Sequence, residues 1–143
     1  LCGRLRHCFP RQRQRKRLVK TIGDAILAAF ERPHDAVSAG IEMVQELTRF
    51  NRTVSQPLIL KVGVHKGRSI AVALNDRIDY FGQDVNIAAR VQGLADGNEV
   101  CVSQEAMEAP GVAEVVKGHQ VSANLVQLKG VGQKVAINRI AIG

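Results

Sequence analysis

Asn86 and Arg90 are four residues apart in a segment whose apolar residues follow helical spacing. The apolar positions recur through residues 87–95, so the pattern predicts an amphipathic helix over about residues 84–95. Because residues at i and i+4 stack one turn above another, both polar side chains can reach a single ligand while the apolar stripe packs on a sheet. The pair therefore indicates a ligand bound at the surface of this helix.

Three further charged residues, Lys20, Asp24 and Asp79, belong to different parts of the chain. Asp24 follows Gly23 between two strand-like apolar runs, and this spacing predicts a hairpin with Asp24 at its tip. Taken singly, each residue has a structural explanation. Asp24 is typical of a turn former, Lys20 of a solvated strand residue and Asp79 of a loop carboxylate.

Apolar periodicity predicts the elements that must position these side chains. Helical spacing after Pro33 predicts a covering helix through about Phe50. The apolar pattern is interrupted at His65-Lys66-Gly67, between two apolar runs. This interruption predicts that the two runs form a second hairpin. Strands are predicted at residues 18–22, 25–30, 58–64, 70–74, 99–103, 124–130 and 134–142. Sheet and helices alternate, which favours an α+β sandwich.

The positive charge of the chain is concentrated at its beginning. Residues 1–20 hold eight of the 20 Lys and Arg residues and no Asp or Glu, although the formal net charge of the whole chain is +7. We therefore predict a basic arm over residues 1–17 that is disordered or non-native, followed by one domain over 18–143. Since the domain itself is close to neutral, nucleic-acid binding is not expected of it, and an arm that touches phosphates or anionic lipid is the alternative.

The cysteines and the hydropathy indicate the compartment. Cys2, Cys8 and Cys101 lack metal-ligand spacing, and Cys101 lies in an apolar run typical of a buried strand thiol. No stretch approaches the roughly 20 apolar residues of a membrane span. These features favour a reducing, cytoplasmic setting without a membrane anchor in this chain.

Four segments taken together resemble the catalytic domain of class III adenylate and guanylate cyclases. They are VKTIGDAILAAF, LKVGVHKG, DYFGQDVNIAARV and the closing LKGVGQKVAINRI. The resemblance implies a ferredoxin-like α+β cyclase fold over residues 18–143 and conversion of ATP to cyclic AMP and pyrophosphate in intracellular signalling. It also implies a dimer, either a homodimer or a heterodimer with another cyclase domain.

The resemblance assigns a role to each of the five polar residues. Asp24 matches the second of the two metal-binding aspartates of the family, which hold Mg²⁺ or Mn²⁺. Lys20 and Asp79 match the pair that binds the adenine edge, which implies ATP rather than GTP. Asn86 matches the asparagine that orients the ribose, and Arg90 matches the arginine that stabilises charge on the reacting phosphate.

The sequence departs from the family pattern before Asp24. No Asp or Glu occurs in residues 1–23, so the first metal-binding aspartate is missing together with the opening strand and the helices that follow it. We therefore predict an incomplete two-metal site and a domain that is inactive alone but able to complement an intact partner. Without that opening strand, the strands at residues 25–30 and 58–64 are predicted to have unpaired edges and the fragment to have low stability.

Two other interpretations remain open at this point. The domain can be a non-catalytic, cyclase-like dimerisation or regulatory module. Because the composition changes sharply at Leu18, residues 1–17 can also be a non-native segment of the kind that a frameshift or truncation would produce.

Overall fold

The chain has a mixed α+β fold, in agreement with the prediction. The structure is a computed structural model that describes residues 16–22, 24–67, 70–74, 77–81 and 83–142. Its elements are β1 (Lys16–Ile22), β2 (Ala25–Phe30), α1 (Pro33–Asn51), β3 (Val62–Val64), β4 (Ile70–Leu74), β5 (Arg77–Phe81), α2 (Gln83–Gly93), β6 (Glu99–Ser103), α3 (Gln104–Met107), α4 (Val112–Val116), β7 (Gln120–Gln127) and β8 (Lys134–Ala141). Most of the predicted arm, residues 1–15, lies outside the described residues.

A four-stranded sheet forms the centre of the domain. Its strand order is β3-β6-β8-β7, with β3 parallel to β6 and the other pairs antiparallel. Two hairpins, β1–β2 and β4–β5, form separate two-stranded sheets. The short helices α3 and α4, which apolar periodicity did not predict, connect β6 to β7.

The central sheet has a packed helix on each face. Val100 and Val102 of β6 join a buried cluster with α1, whereas Cys101 between them joins a cluster with Val91 of α2. Successive side chains of a strand point to opposite faces, so α1 and α2 cover opposite sides of the sheet. Cys101 is fully buried, which confirms the predicted buried strand thiol.

Helix α2 lies directly against the backbone of β3. A Cβ atom placed on Gly63 would be 2.2 Å from the backbone nitrogen of Gln92. This distance is far inside van der Waals contact, so β3 and α2 can approach as they do only because residue 63 lacks a side chain. Gly63 thereby sets the height of α2 above the sheet.

The strand pairing predicted for the second hairpin is wrong. The run before His65 forms β3, which pairs with β6, and β4 pairs instead with β5. Leu74 faces Arg77 in that register, so the connection consists of two residues, Asn75 and Asp76, which are typical of tight turns. The sequence between β4 and β5 therefore carries a local turn signal that favours this pairing.

The predicted unpaired edges are present in the described part of the chain. There, β2 has β1 as its strand partner, and β3 lies at one end of the central sheet with β6 as its partner. The predicted strand over 58–64 is also shorter than expected, since β3 includes Val62–Val64 only. Residues before it are held instead by Asn51, whose side-chain amide donates to the carbonyl of Leu58 and accepts from its N–H.

Candidate active site

Asn86 and Arg90 of helix α2 lie outside the side of the helix that packs on the sheet. Val91 of α2 is fully buried and Ile87 packs beside it, which fixes the orientation of the helix. Asn86 is exposed and Arg90 is partly exposed. Neither side chain is therefore part of the packed core, and both are accessible from solvent.

The guanidinium of Arg90 lies against the turn between β7 and β8. A Cβ atom placed on Gly130 would be 2.9 Å from Nη1 of Arg90, and the φ of Gly130 is +78°. Glycine is suited to this position both because it adopts positive φ without strain and because it leaves room for the guanidinium. The turn also carries Lys129, which is exposed, so two cationic residues belong to one corner of the domain.

Lys129 and Gly130 were not among the site residues predicted from the sequence. The glycine-rich turn in LKGVG was the available signal, but its contact with Arg90 spans about 40 positions of the chain. Only the packing of α2 beside the β7–β8 hairpin brings these residues together.

The backbone arranges the remaining predicted residues on two neighbouring hairpins. Lys20 belongs to β1, where it faces Leu27, and Asp79 belongs to β5, where it faces Val72. Strand β1 is in contact with β5, and β5 is in contact with the following helix α2. The interpretation of Asp79 as a loop residue is therefore wrong, and the strands of Lys20 and Asp79 are neighbours.

Asp24 occupies the turn between β1 and β2 and is exposed. Among the side chains that the structure describes, no group of three or more His, Cys, Asp or Glu residues is arranged to hold a metal ion. A two-metal site needs bridging carboxylates. The described residues therefore do not by themselves fit a complete metal site, and we assign them no metal-dependent step.

The described cysteine is not suited to nucleophilic chemistry. Burial, with a smaller contribution from the nearby Glu99 carboxylate, raises the pKa of Cys101 to about 11. The thiolate is the reactive form of cysteine, so Cys101 stays protonated and unreactive near neutral pH.

In the described part of the chain, no helix combines the length and hydropathy needed to cross a bilayer.

Comparison with known proteins places the chain among nucleotide cyclases. The family described as the adenylate and guanylate cyclase catalytic domain matches residues 3–137. A pH-sensitive adenylate cyclase of Mycobacterium tuberculosis is 33% identical over 129 residues, covering 87% of this chain and 30% of that protein. The chain thus spans less than a third of the length of this relative.

Solved cyclase structures share the fold. An adenylate cyclase of Trypanosoma brucei in its monomeric state superposes with a TM-score of 0.72 at 23% identity, covering 89% of this chain and 70% of that one. The guanylate cyclase domain of RhGC from Catenaria anguillulae, in complex with GTP, gives a TM-score of 0.70 at 20% identity, covering 89% and 72%. Both adenylate and guanylate cyclases are therefore among its structural neighbours.

Proposed function

This chain belongs to the adenylate and guanylate cyclase catalytic domain family, and we propose that it is an adenylate cyclase-type domain of intracellular signalling. Its reaction is the conversion of ATP to cyclic AMP and pyrophosphate. The observation that supports this proposal best is the polar side of α2, where Asn86 and Arg90 are available to solvent beside the Lys129 turn.

In the proposed reaction, the ribose 3′-oxygen forms a bond to the α-phosphorus and the bond from that phosphorus to the β-phosphate oxygen breaks. The 3′-hydroxyl gives up its proton to solvent water, and pyrophosphate leaves with the electron pair of the broken bond. The amide of Asn86 orients the ribose so that the 3′-oxygen faces the phosphorus. The guanidinium of Arg90 stabilises the charge that develops on the phosphate oxygens, and Lys129 adds positive charge at the same corner.

Lys20 and Asp79 are the proposed determinants of the base. A lysine donor and an aspartate acceptor complement the ring nitrogen and the exocyclic amine of adenine. Guanine has the reverse pattern at these positions and would leave both side chains mispaired. The adjacency of β1 and β5 supports this pairing, and it leads us to propose ATP as the substrate.

We further propose that the chain is inactive alone and acts with a second cyclase domain. A partner that supplies both metal-binding aspartates would complete one site with the Lys20, Asp79, Asn86 and Arg90 of this chain. In the other, incomplete site of such a dimer, Asp24 is the residue through which this chain would contribute to binding Mg²⁺ or Mn²⁺. No Asp or Glu occurs in residues 1–23, and this feature of the sequence is what supports the proposal.

Complementation tests the proposal. This chain is mixed with an intact cyclase domain whose own residues matching Asn86 and Arg90 are replaced by alanine, and cyclic AMP is measured with ATP and Mn²⁺. We expect product from the mixture and none from either chain alone. If the mixture stays as inactive as its components, the proposed catalytic role is refuted.

One other candidate is a non-catalytic dimerisation or regulatory module, which the lack of an Asp or Glu before Asp24 also favours. Nucleotide binding separates the two candidates. A ligand that binds the folded state raises the melting temperature, so ATP with Mn²⁺ should stabilise a substrate-binding domain. If neither ATP nor GTP shifts the melting temperature of this chain, alone or mixed with the partner domain, the module becomes the better interpretation.

A further inference from the structure

A partly buried series of hydrogen bonds links the first turn of α2 to the central sheet. Nδ1 of His65 is 2.8 Å from the hydroxyl of Ser103, and Nε2 of His65 is 2.9 Å from Oδ1 of Asp84. The side chain of His65 is 5% exposed and Ser103 is fully buried. His65 follows β3, Ser103 ends β6 and Asp84 lies at the start of α2. The hydrogen bonds therefore join three elements.

The hydrogen bonds determine which nitrogen of His65 carries a proton. An ionised carboxylate can only accept hydrogen bonds, so Nε2 of His65 donates to Asp84. On the other side of the ring, Nδ1 forms a hydrogen bond with the hydroxyl of Ser103, which can either donate or accept. Ser103 precedes α3 at a position where serine commonly caps a helix, yet its side chain makes no capping hydrogen bond. Its hydroxyl is directed to His65 instead.

The backbone near His65 is shaped to accept Asp84. A Cβ atom placed on Gly67 would be 2.1 Å from Cγ of Asp84, so the aspartate side chain occupies the space that any other residue at position 67 would fill. Asn86 follows Asp84 by two residues and lies in the same N-terminal part of α2. The link therefore holds the part of α2 from which Asn86 extends.

We propose that His65 is a positioning residue for the cyclase reaction. It fixes the N-terminal turn of α2 through Asp84, while Ser103 holds its ring in the orientation that directs Nε2 to the carboxylate. This inference rests on the proposed function, because the purpose of the fixed turn is to hold Asn86 against the ribose. His65 itself makes no contact with substrate in this proposal.

The kinetic test uses the complemented pair described above. Misplacing a substrate-orienting group by about 1 Å can reduce turnover about 100-fold, so we expect His65→Phe to lower kcat about 10- to 100-fold. KM for ATP should change less than about threefold, since the base and triphosphate contacts remain. His65→Gln keeps a donor toward Asp84 and should recover most of the lost kcat.

Two further variants separate positioning from loss of folding. Gly67→Ala removes no hydrogen-bonding group but displaces Asp84, so it should reproduce the kcat loss of His65→Phe. In a double-mutant cycle, His65→Phe combined with Asp84→Leu should lower kcat no further than the larger single effect, because both act through one link. Additive losses would overturn the proposal.

Hydrogen exchange of this chain tests the link without relying on activity. His65→Phe should speed exchange of the α2 amides about 10-fold or more and leave those of α1 unchanged. The matched control is His34→Phe, which removes a histidine 3.3 Å from Asp35 on α1 and should not affect α2. Unchanged exchange in α2 would refute the link even if the complemented pair has no activity. Activity that survives His65→Phe would refute the positioning role and leave the proposed function intact.

Discussion

Gly63→Ala is expected to displace α2 and destabilise the domain. The added Cβ would lie 2.2 Å from the backbone nitrogen and 2.5 Å from the Cα of Gln92. These are backbone atoms, which cannot rotate away as a side chain does, so α2 and β3 must separate by about 1 Å. The same movement would shift Asn86 and Arg90 relative to the β1–β2 and β4–β5 hairpins.

The expected loss of unfolding free energy follows from the type of clash. Overpacking of a core usually costs about 1–3 kcal/mol, and a clash against backbone belongs at the upper end of this range, so we expect a loss of about 3 kcal/mol. For a domain of 143 residues this corresponds to a decrease in Tm of about 10 °C. Urea unfolding followed by circular dichroism at 222 nm measures the loss directly.

Gly93→Ala is the matched control on the same helix. Apart from its chain neighbours and the backbone of its own helix, no described heavy atom lies within 4 Å of a Cβ placed at Gly93, the last residue of α2. Alanine is the better helix former, so this change should be neutral or should stabilise by up to about 1 kcal/mol. If Gly63→Ala leaves the unfolding free energy within about 0.5 kcal/mol of the parent, the inferred contact between β3 and α2 is wrong.

Three further predictions concern Arg90, Cys101 and the open sheet edges. Arg90→Ala should abolish turnover of the complemented pair while ATP binding is retained, because its contact strengthens as the phosphate gains charge. Arg49→Ala, which removes an exposed α1 arginine paired with Glu46, should leave turnover unchanged. Since the pKa of Cys101 is raised to about 11 and the residue is fully buried, a thiol reagent at neutral pH should label it only after unfolding. Amides of β2 should exchange about 100-fold faster than those of β6, which has a strand on either side; equal protection would contradict the predicted low stability of the β2 edge.

The cyclase family, the two long helices and the hairpin at Asp24 could be predicted from the sequence because they depend on local patterns. Helical spacing predicted α1 and α2 to within about two residues at each end. A glycine before Asp24 marked the turn, and the segment around Asn86 and Arg90 carried the family resemblance. Each signal lies within a few turns of helix or a single hairpin, where neighbouring residues determine the backbone.

Tertiary packing decided the contacts that give the candidate site its shape. His65 meets Ser103 and Asp84 across 38 and 19 positions of the chain. Gly63 appears in the sequence only as part of a predicted strand and Gly67 only as a break, yet at each of them another element approaches too closely for a side chain. Such approaches depend on how the sheet brings distant segments together, and no local periodicity encodes that distance.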